Sequence, residues 1–182
     1  MNYANIKYCD IANGPGVRTS LFVSGCTHRC EGCFNSEAWA FDAGQPFTDE
    51  VIGQIIASCE PGWITGLSLL GGEPMEPENQ EAVLALVKAF RERLPQKSIW
   101  CYSGYTFEEL TGQQPSRAAT PTALRLLEQM DVLVDGEFIE AQRDITLRFR
   151  GSLNQRILDL PASLREGRAV DWHDDPAYVH GK

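Results

Sequence analysis

The stretch "ITGLSLLGGEP", Ile64 to Pro74, decides the fold: a short apolar run that halts at two glycines. Such a run reads as a strand buried in a parallel sheet. "TSLFVSG" (Thr19 to Gly25), "KSIWCYSG" (Lys97 to Gly104) and "DVLVDG" (Asp131 to Gly136) repeat the pattern. Between them lie helical stripes: Ile52, Ile55, Ile56 and Cys59 after a Thr48 cap, then Val83, Leu86, Val87, Phe90 and Leu94. The second helix begins at Pro77, with Glu76, Glu78 and Glu81 early and Lys88, Arg91 and Arg93 late, as proline geometry and the helix dipole prefer. A third stripe, Leu124, Leu127 and Met130, follows Thr120 and Pro121.

Strand and helix in alternation imply right-handed crossovers and a parallel sheet with helices outside. The expected architecture is α/β, an incomplete (open) parallel β/α barrel, TIM-like but smaller than the full eight-stranded form. Asp135 to Arg150 is too short for another full crossover, so "ITLRF" and "NQRILDL" are expected to finish the sheet as less regular strands. Residues 1–160 make up the predicted domain. The polar, poorly periodic stretch from Pro161, residues 161–182, is expected to be a C-terminal extension that packs on the surface or stays disordered. No internal repeat is present.

In such sheets ligands bind where the loops converge at the carboxyl ends of the strands. Here those ends deliver "GCTHRCEGCFN" (Gly25 to Asn35), then Gly71-Gly72-Glu73-Pro74, then Tyr102-Ser103-Gly104, then Asp135-Gly136. The four loops are expected to border one pocket.

Composition narrows the chemistry. With 182 residues, 43% of them hydrophobic, the chain has the makings of one soluble domain with an ordinary core. A net charge of -9, from sixteen basic and twenty-five acidic residues, argues against a nucleic-acid partner, which would need lysine and arginine to neutralise phosphates. No run approaches the roughly 18 apolar residues of a membrane helix, and "MNYANIKYCDIANG" lacks a signal-peptide pattern; no membrane role and a cytoplasmic location are expected. Under reducing conditions the six cysteines point to metal or catalytic roles and not to disulfides.

Three of the six, Cys26, Cys30 and Cys33, form a C-x3-C-x2-C array. An iron–sulfur cube normally takes four cysteines, so three would leave one iron open, much as catalytic zinc keeps a vacant position. The competing reading is a non-catalytic, zinc-stabilised interaction module, with Cys30 and Cys33 joined by His28 or by a distant Cys9, Cys59 or Cys101. It wants a second closely spaced pair, which the sequence lacks. A pure electron-transfer cluster would want a fourth cysteine near a proline, as in ferredoxins. Gly71 and Gly72 let the backbone turn sharply and approach a ligand, Glu73 offers a carboxylate to an ammonium, and Pro74 fixes the local φ. Alone, that segment also reads as a turn before an exposed helix start.

Together, C-x3-C-x2-C and Gly-Gly-Glu-Pro resemble the radical S-adenosylmethionine enzymes. "NGPGVRTSLFVSGCTHRCEGCFN" is similar to the start of their glycyl-radical activating branch, and "GQPFT", "DVLVDGEF" and "RGSLNQ" resemble the members that activate anaerobic ribonucleoside-triphosphate reductase. The likeness runs from about Met1 to Leu160. It departs at Gly32, where most of the superfamily has an aromatic that comes here one place after the third cysteine, as Phe34. It departs again at Glu137, where some activases have lysine.

The resemblance implies a four-iron four-sulfur cluster on Cys26, Cys30 and Cys33, with S-adenosylmethionine on the open iron. It implies reductive cleavage to methionine and a 5'-deoxyadenosyl radical, which takes a hydrogen atom from a glycine in the reductase large subunit. Gly71, Gly72 and Glu73 would receive the methionine ammonium, Gly32, Cys33 and Phe34 would flank adenine, and Ser103 and Asp135 would bond the ribose hydroxyls. No catalytic acid or base is expected, because radical hydrogen transfer needs none. A flavodoxin or ferredoxin would supply the electron. Activation of another glycyl-radical enzyme, such as pyruvate formate-lyase, is the nearest alternative. Arg18 and the segment Arg150 to Arg156 are candidates for steering the partner or closing the pocket, against a bland reading as exposed polar residues.

Overall fold

The computed structural model describes residues 1–173. In chain order the elements are β1 (Asn2–Asp10), β2 (Val17–Val23), β3 (Gln45–Pro46), α1 (Asp49–Cys59), β4 (Ile64–Gly71), α2 (Pro77–Arg93), β5 (Ser98–Ser103), α3 (Phe107–Leu110), α4 (Pro121–Leu127), β6 (Val132–Asp135), β7 (Arg156–Asp159) and α5 (Leu160–Glu166). The strands form one open sheet in the order β3-β1-β2-β4-β5-β6-β7. Its middle, β2-β4-β5-β6, is parallel, as the glycine-terminated runs require.

Both flanks depart from the all-parallel barrel. β1 runs antiparallel to β2 and to β3, and β7 runs antiparallel to β6. The six residues 11–16 between β1 and β2 cannot hold a crossover, which takes a dozen or more residues, so the pair closes as a hairpin. "ITLRF" is not a strand. Asp144 accepts hydrogen bonds from the Thr146 N–H (2.8 Å) and hydroxyl (2.7 Å), which fixes a turn, and Ile145 is 88% exposed. "NQRILDL" does finish the sheet, as β7.

All the crossover helices lie against one face. Leu21, Val23, Leu67, Leu69, Ile99, Cys101 and Leu133 from the strands meet Ile55, Val83, Leu86, Val87, Phe90 and Leu127 from α1, α2 and α4 in the main core. Leu124 is not part of it. Thr120 caps α4 by accepting from the Ala123 N–H, and in that phase Ala123 and Leu126 face inward while Leu124 faces out. The intervening strand residues point to the opposite face, where Trp100, Val132 and Val134 pack with Tyr102, Phe149, Ile157 and Trp172. Loops cover this second face, and it carries the site.

Arg18 neither steers nor closes a pocket. It is wholly buried near the start of β2, donating to the Ser68 hydroxyl (2.8 Å) and to the Leu67 (2.8 Å) and Ser98 (3.0 Å) carbonyls beneath the Trp100 ring. Burial pulls its guanidinium down to about 10. Past Leu160 the chain is ordered helix: Asp159 caps α5 at the Ala162 N–H (2.8 Å). The chain then returns along β7, with the Asp159 N–H donating to the Val170 carbonyl and the Trp172 N–H to that of Ile157. Residues 174–182 of the extension lie outside the described residues.

Candidate active site

The four strand-end loops do converge. One cavity of about 420 Å³ is lined by Cys26, Cys30 and Cys33, by Gly71 to Glu73, by Tyr102 to Gly104 and by Gly136. The cysteine loop and the glycine pair are joined backbone to backbone. Gly72 N–H donates to the Val23 carbonyl (2.8 Å), Glu73 N–H to that of Gly25 (2.8 Å), and Gly25 N–H to that of Ala38 (2.8 Å). Gly71 holds φ +110°, and a Cβ on Gly72 would sit 2.6 Å from the Gly25 oxygen. Only glycine permits this approach.

Glu73 lies at the floor of the cavity, 1% exposed. Its carboxylate accepts from the Met75 N–H (2.8 Å), the Ser103 hydroxyl (2.9 Å) and the Gly104 N–H (2.6 Å). Burial nonetheless pushes it up to about 7, against the opposing effects of His28 and those hydrogen bonds. Ser103 is therefore engaged with Glu73 and then caps Tyr105, accepting from its N–H.

A second buried carboxylate, Glu76, holds the cysteine loop from behind. It accepts the Thr27 N–H (2.7 Å) and hydroxyl (2.5 Å), the Tyr105 hydroxyl (3.3 Å) and the Arg117 guanidinium. Opposite it, His28 Nδ1 bonds Glu137 Oε1 at 2.6 Å. The ring packs edge-on against Tyr105, with centroids 4.3 Å apart. Nothing in the spacing of the motif pointed to Glu76; its place immediately before α2, bonded to the loop at Thr27, becomes apparent only in the fold.

The donor set suits an iron–sulfur cube with one open iron. All six cysteines are free thiols, yet only the loop trio lines the cavity; Cys59 and Cys101 are buried in the core and Cys9 lies elsewhere on the surface. Burial, reinforced by the Glu73 charge, pushes the Cys26 thiol up to about 12, and burial raises Cys30. Thiolates there need the positive charge that iron supplies. Among the described residues no three His, Cys, Asp or Glu side chains gather as a single ion requires, whereas a cube presents its corners further apart. His28 Nε2, Trp39 Nε1 and Tyr102 Oη line the same cavity and are buried without a hydrogen-bond partner among the described residues, so the space is set for a polar ligand.

Comparison with known proteins agrees. The profile of the 4Fe-4S single cluster domain matches residues 12–158. The chain is 45% identical over 159 residues to the anaerobic ribonucleoside-triphosphate reductase-activating protein of Vibrio cholerae, covering 86% of this chain and 97% of that one. It is 41% identical to the protein of that name from Escherichia coli (85% and 96% covered) and 39% identical to that of enterobacteria phage T4 (86% and 93%). This chain belongs to the anaerobic ribonucleoside-triphosphate reductase-activating protein family.

In this member of the activating-protein family the two sequence departures have structural counterparts. Gly32 holds φ +71°, and a Cβ there would meet the Glu140 carboxylate at 2.2 Å, so an aromatic at that place would have to displace Glu140 and strain the backbone. Phe34 sits at the rim, 61% exposed, against Phe138 (5.5 Å between centroids) and under Arg143. Glu137, in place of a lysine, is the residue that binds His28.

Asp135 does not line the cavity of this activating-protein family member. It is 1% exposed, and its carboxylate accepts from the Phe107 N–H (2.7 Å) at the start of α3 and from Arg156 Nε (2.9 Å) and Nη2 (2.5 Å). Arg156 is raised by this pair and by Glu108. The rest of the segment Arg150 to Arg156 folds on itself: Gln155 Oε1 accepts from the Gly151 (2.8 Å) and Ser152 (3.2 Å) N–H groups, while Gln155 Nε2 donates to the Gly136 carbonyl (2.9 Å). Arg150, Gly151 and Gln155 also border the cavity.

Proposed function

We propose that this protein is a radical S-adenosylmethionine activase that generates the glycyl radical of anaerobic ribonucleoside-triphosphate reductase. The observation that carries this is the one cavity lined by three free thiols together with Gly71, Gly72 and Glu73. Cys26, Cys30 and Cys33 would hold the four-iron four-sulfur cluster. When bound, cluster and S-adenosylmethionine supply the 5'-deoxyadenosyl radical that removes a hydrogen atom from the reductase glycine.

The protein's own residues bind, orient and keep water out. Glu73 receives the methionine ammonium beside the carbonyls of the glycine pair. Arrival of a cation offsets the burial that raises Glu73 and leaves it a carboxylate. Glu76 and the Gly72 and Glu73 backbone bonds fix the cysteine loop, so that ligand and thiols keep their spacing. Gly32, Cys33 and Phe34 flank the side on which adenine would lie. Ser103 comes near the ribose only by sharing its hydroxyl with Glu73. The helix-free face of the open sheet, read as the inner face of a partial barrel, leaves room for a glycine-bearing loop of the reductase. A flavodoxin or ferredoxin is the expected electron donor, and the cytoplasm the expected compartment.

The test is to incubate the iron-loaded, reduced protein and S-adenosylmethionine with the reductase large subunit and look for a glycyl radical by electron paramagnetic resonance. A radical on the reductase supports the reading. A radical on pyruvate formate-lyase and none on the reductase would replace the proposed target.

A further inference from the structure

Four phenylalanines line the cavity: Phe22, Phe34, Phe138 and Phe149. Three of them already carry a cation on the ring. Lys7 lies over Phe22 (4.9 Å from the centroid), Arg143 over Phe34 (4.9 Å) and Arg148 over Phe149 (4.4 Å). Among the described residues Phe138 has none.

Phe138 also stands next to the cysteine loop. It follows the carboxyl end of β6, and its backbone N–H is directed at the Cys30 thiol, countering the rise that burial imposes there. Its ring rests against Phe34, with centroids 5.5 Å apart and planes tilted by 56°. On another side it rests against the Gly151 backbone, where a Cβ would fall 3.0 Å from Cδ2. A side chain at position 151 would crowd the ring, which gives the glycine of "RGSLNQ" a physical reason.

The same short segment closes the place before the third cysteine. Glu140, two residues after Phe138, brings its carboxylate to Gly32, where a Cβ would lie 2.2 Å from Oε2. A carboxylate thus occupies the position where an aromatic is absent, and an aromatic stands beside the thiols from the β6 side. A phenyl ring has no hydrogen bond to offer, so what it presents to a ligand is a flat apolar face. That surface suits a purine, which stacks on aromatic rings.

We propose that Phe138 is a binding residue for the adenine of S-adenosylmethionine, its ring serving in place of the aromatic that Gly32 lacks. The assignment rests on the S-adenosylmethionine reading above.

The test uses cluster-loaded protein, with equilibrium binding of S-adenosylmethionine normalised to iron content. Phe138→Ala removes the ring, and its affinity should fall about tenfold, the usual size of one base–aromatic stack. Phe138→Tyr should bind as wild type does. Phe138→Leu, apolar but without a π-face, should remain weaker than wild type.

The decisive arm uses free methionine, which carries the ammonium and carboxylate without the purine. It is titrated to saturation against the electron paramagnetic resonance signal of the reduced cluster, and wild type and Phe138→Ala should bind it equally. Equal binding of S-adenosylmethionine by wild type and Phe138→Ala, full affinity in Phe138→Leu, or an equal penalty for methionine overturns the proposal. Loss of iron from all three variants, the tyrosine included, would make Phe138 a structural residue of the loop and overturn it as well. If the cluster-loaded wild type itself binds no S-adenosylmethionine, it is the underlying functional reading that fails.

Discussion

The Glu76 carboxylate accepts both the backbone N–H and the hydroxyl of Thr27, at 2.7 and 2.5 Å, although the two residues are far apart in sequence and Thr27 lies within the cysteine array. The carboxylate is fully buried at the start of α2, so the loop is tied to the longest helix among the described residues. Glu76→Ala should leave the Thr27 N–H unpaired and destabilise the metal-free protein by about 2 kcal/mol in urea unfolding. Iron retained after reconstitution should fall with it. Arg117→Ala, which removes a half-exposed partner, should cost less than about 1 kcal/mol. Equal effects from both variants would mean that the arginine pair, and not the Thr27 contacts, holds the loop.

Cys26→Ala, Cys30→Ala and Cys33→Ala should each abolish the cluster, measured as iron and acid-labile sulfide per chain. Cys59→Ala and Cys101→Ala remove thiols buried in the core and should leave iron content unchanged, with only a modest loss of stability. Cluster retained by any one of the first three variants would point to a substitute ligand, for which His28 is the nearest neighbour in the loop.

Glu73 supplies a pH dependence with a definite sign. Its ordinary value of 4.5 rises to about 7 in the folded, metal-free chain, so the folded state holds this proton more tightly than the unfolded one. The associated stability is fully present below about pH 4.5 and is lost as pH rises through 7. From that shift the loss is roughly 3 kcal/mol, and Glu73→Gln should not show it. Urea midpoints of wild type and variant across this range should therefore diverge, with wild type losing ground as pH increases. Parallel curves would show that Glu73 is already ionised at the lower end.

Asp135 should behave as a structural residue. Asp135→Asn weakens the Arg156 pair and the cap on α3, and about 2 kcal/mol of stability should go with it. The affinity of the folded, cluster-loaded protein for S-adenosylmethionine should change less than about twofold, well under 1 kcal/mol. A large loss of affinity at unchanged stability would return Asp135 to the ribose.

The parallel centre of the sheet was readable because buried strands and glycine ends leave a strong local pattern: the four quoted runs contain β4, β5 and β6 and most of β2. β1 was not read, since "NYANIKYCD" mixes polar and apolar residues and its partner is set by the hairpin and not by its own periodicity. In the site, the three cysteines and the glycine pair were legible because their chemistry constrains their spacing. Arg18, Glu76 and Asp135 were not. Each is a charged residue whose burial depends on partners distant in sequence; an isolated charge such as Glu76 reads as solvent-exposed by default, and Asp135, at a strand end, reads as a pocket residue. The helix at 160–166 was hidden in the same way, its apolar contacts being few and its cap, Asp159, lying within the preceding strand.

The backbone bond from Glu73 to Gly25, with that from Gly72 to Val23, has a consequence for selection among ligands. A seat formed by side chains can shift by rotamer changes to suit a longer or shorter occupant. Here the residues proposed as thiol cradle and ammonium seat are joined through their backbone, and the Glu73 carboxylate is itself held by the Met75 and Gly104 N–H groups and the Ser103 hydroxyl, so on the proposed reading the interval between them acts as a fixed gauge. A sulfonium whose amino-acid arm is one methylene longer should therefore be rejected by its length, even though every charge it carries is the correct one.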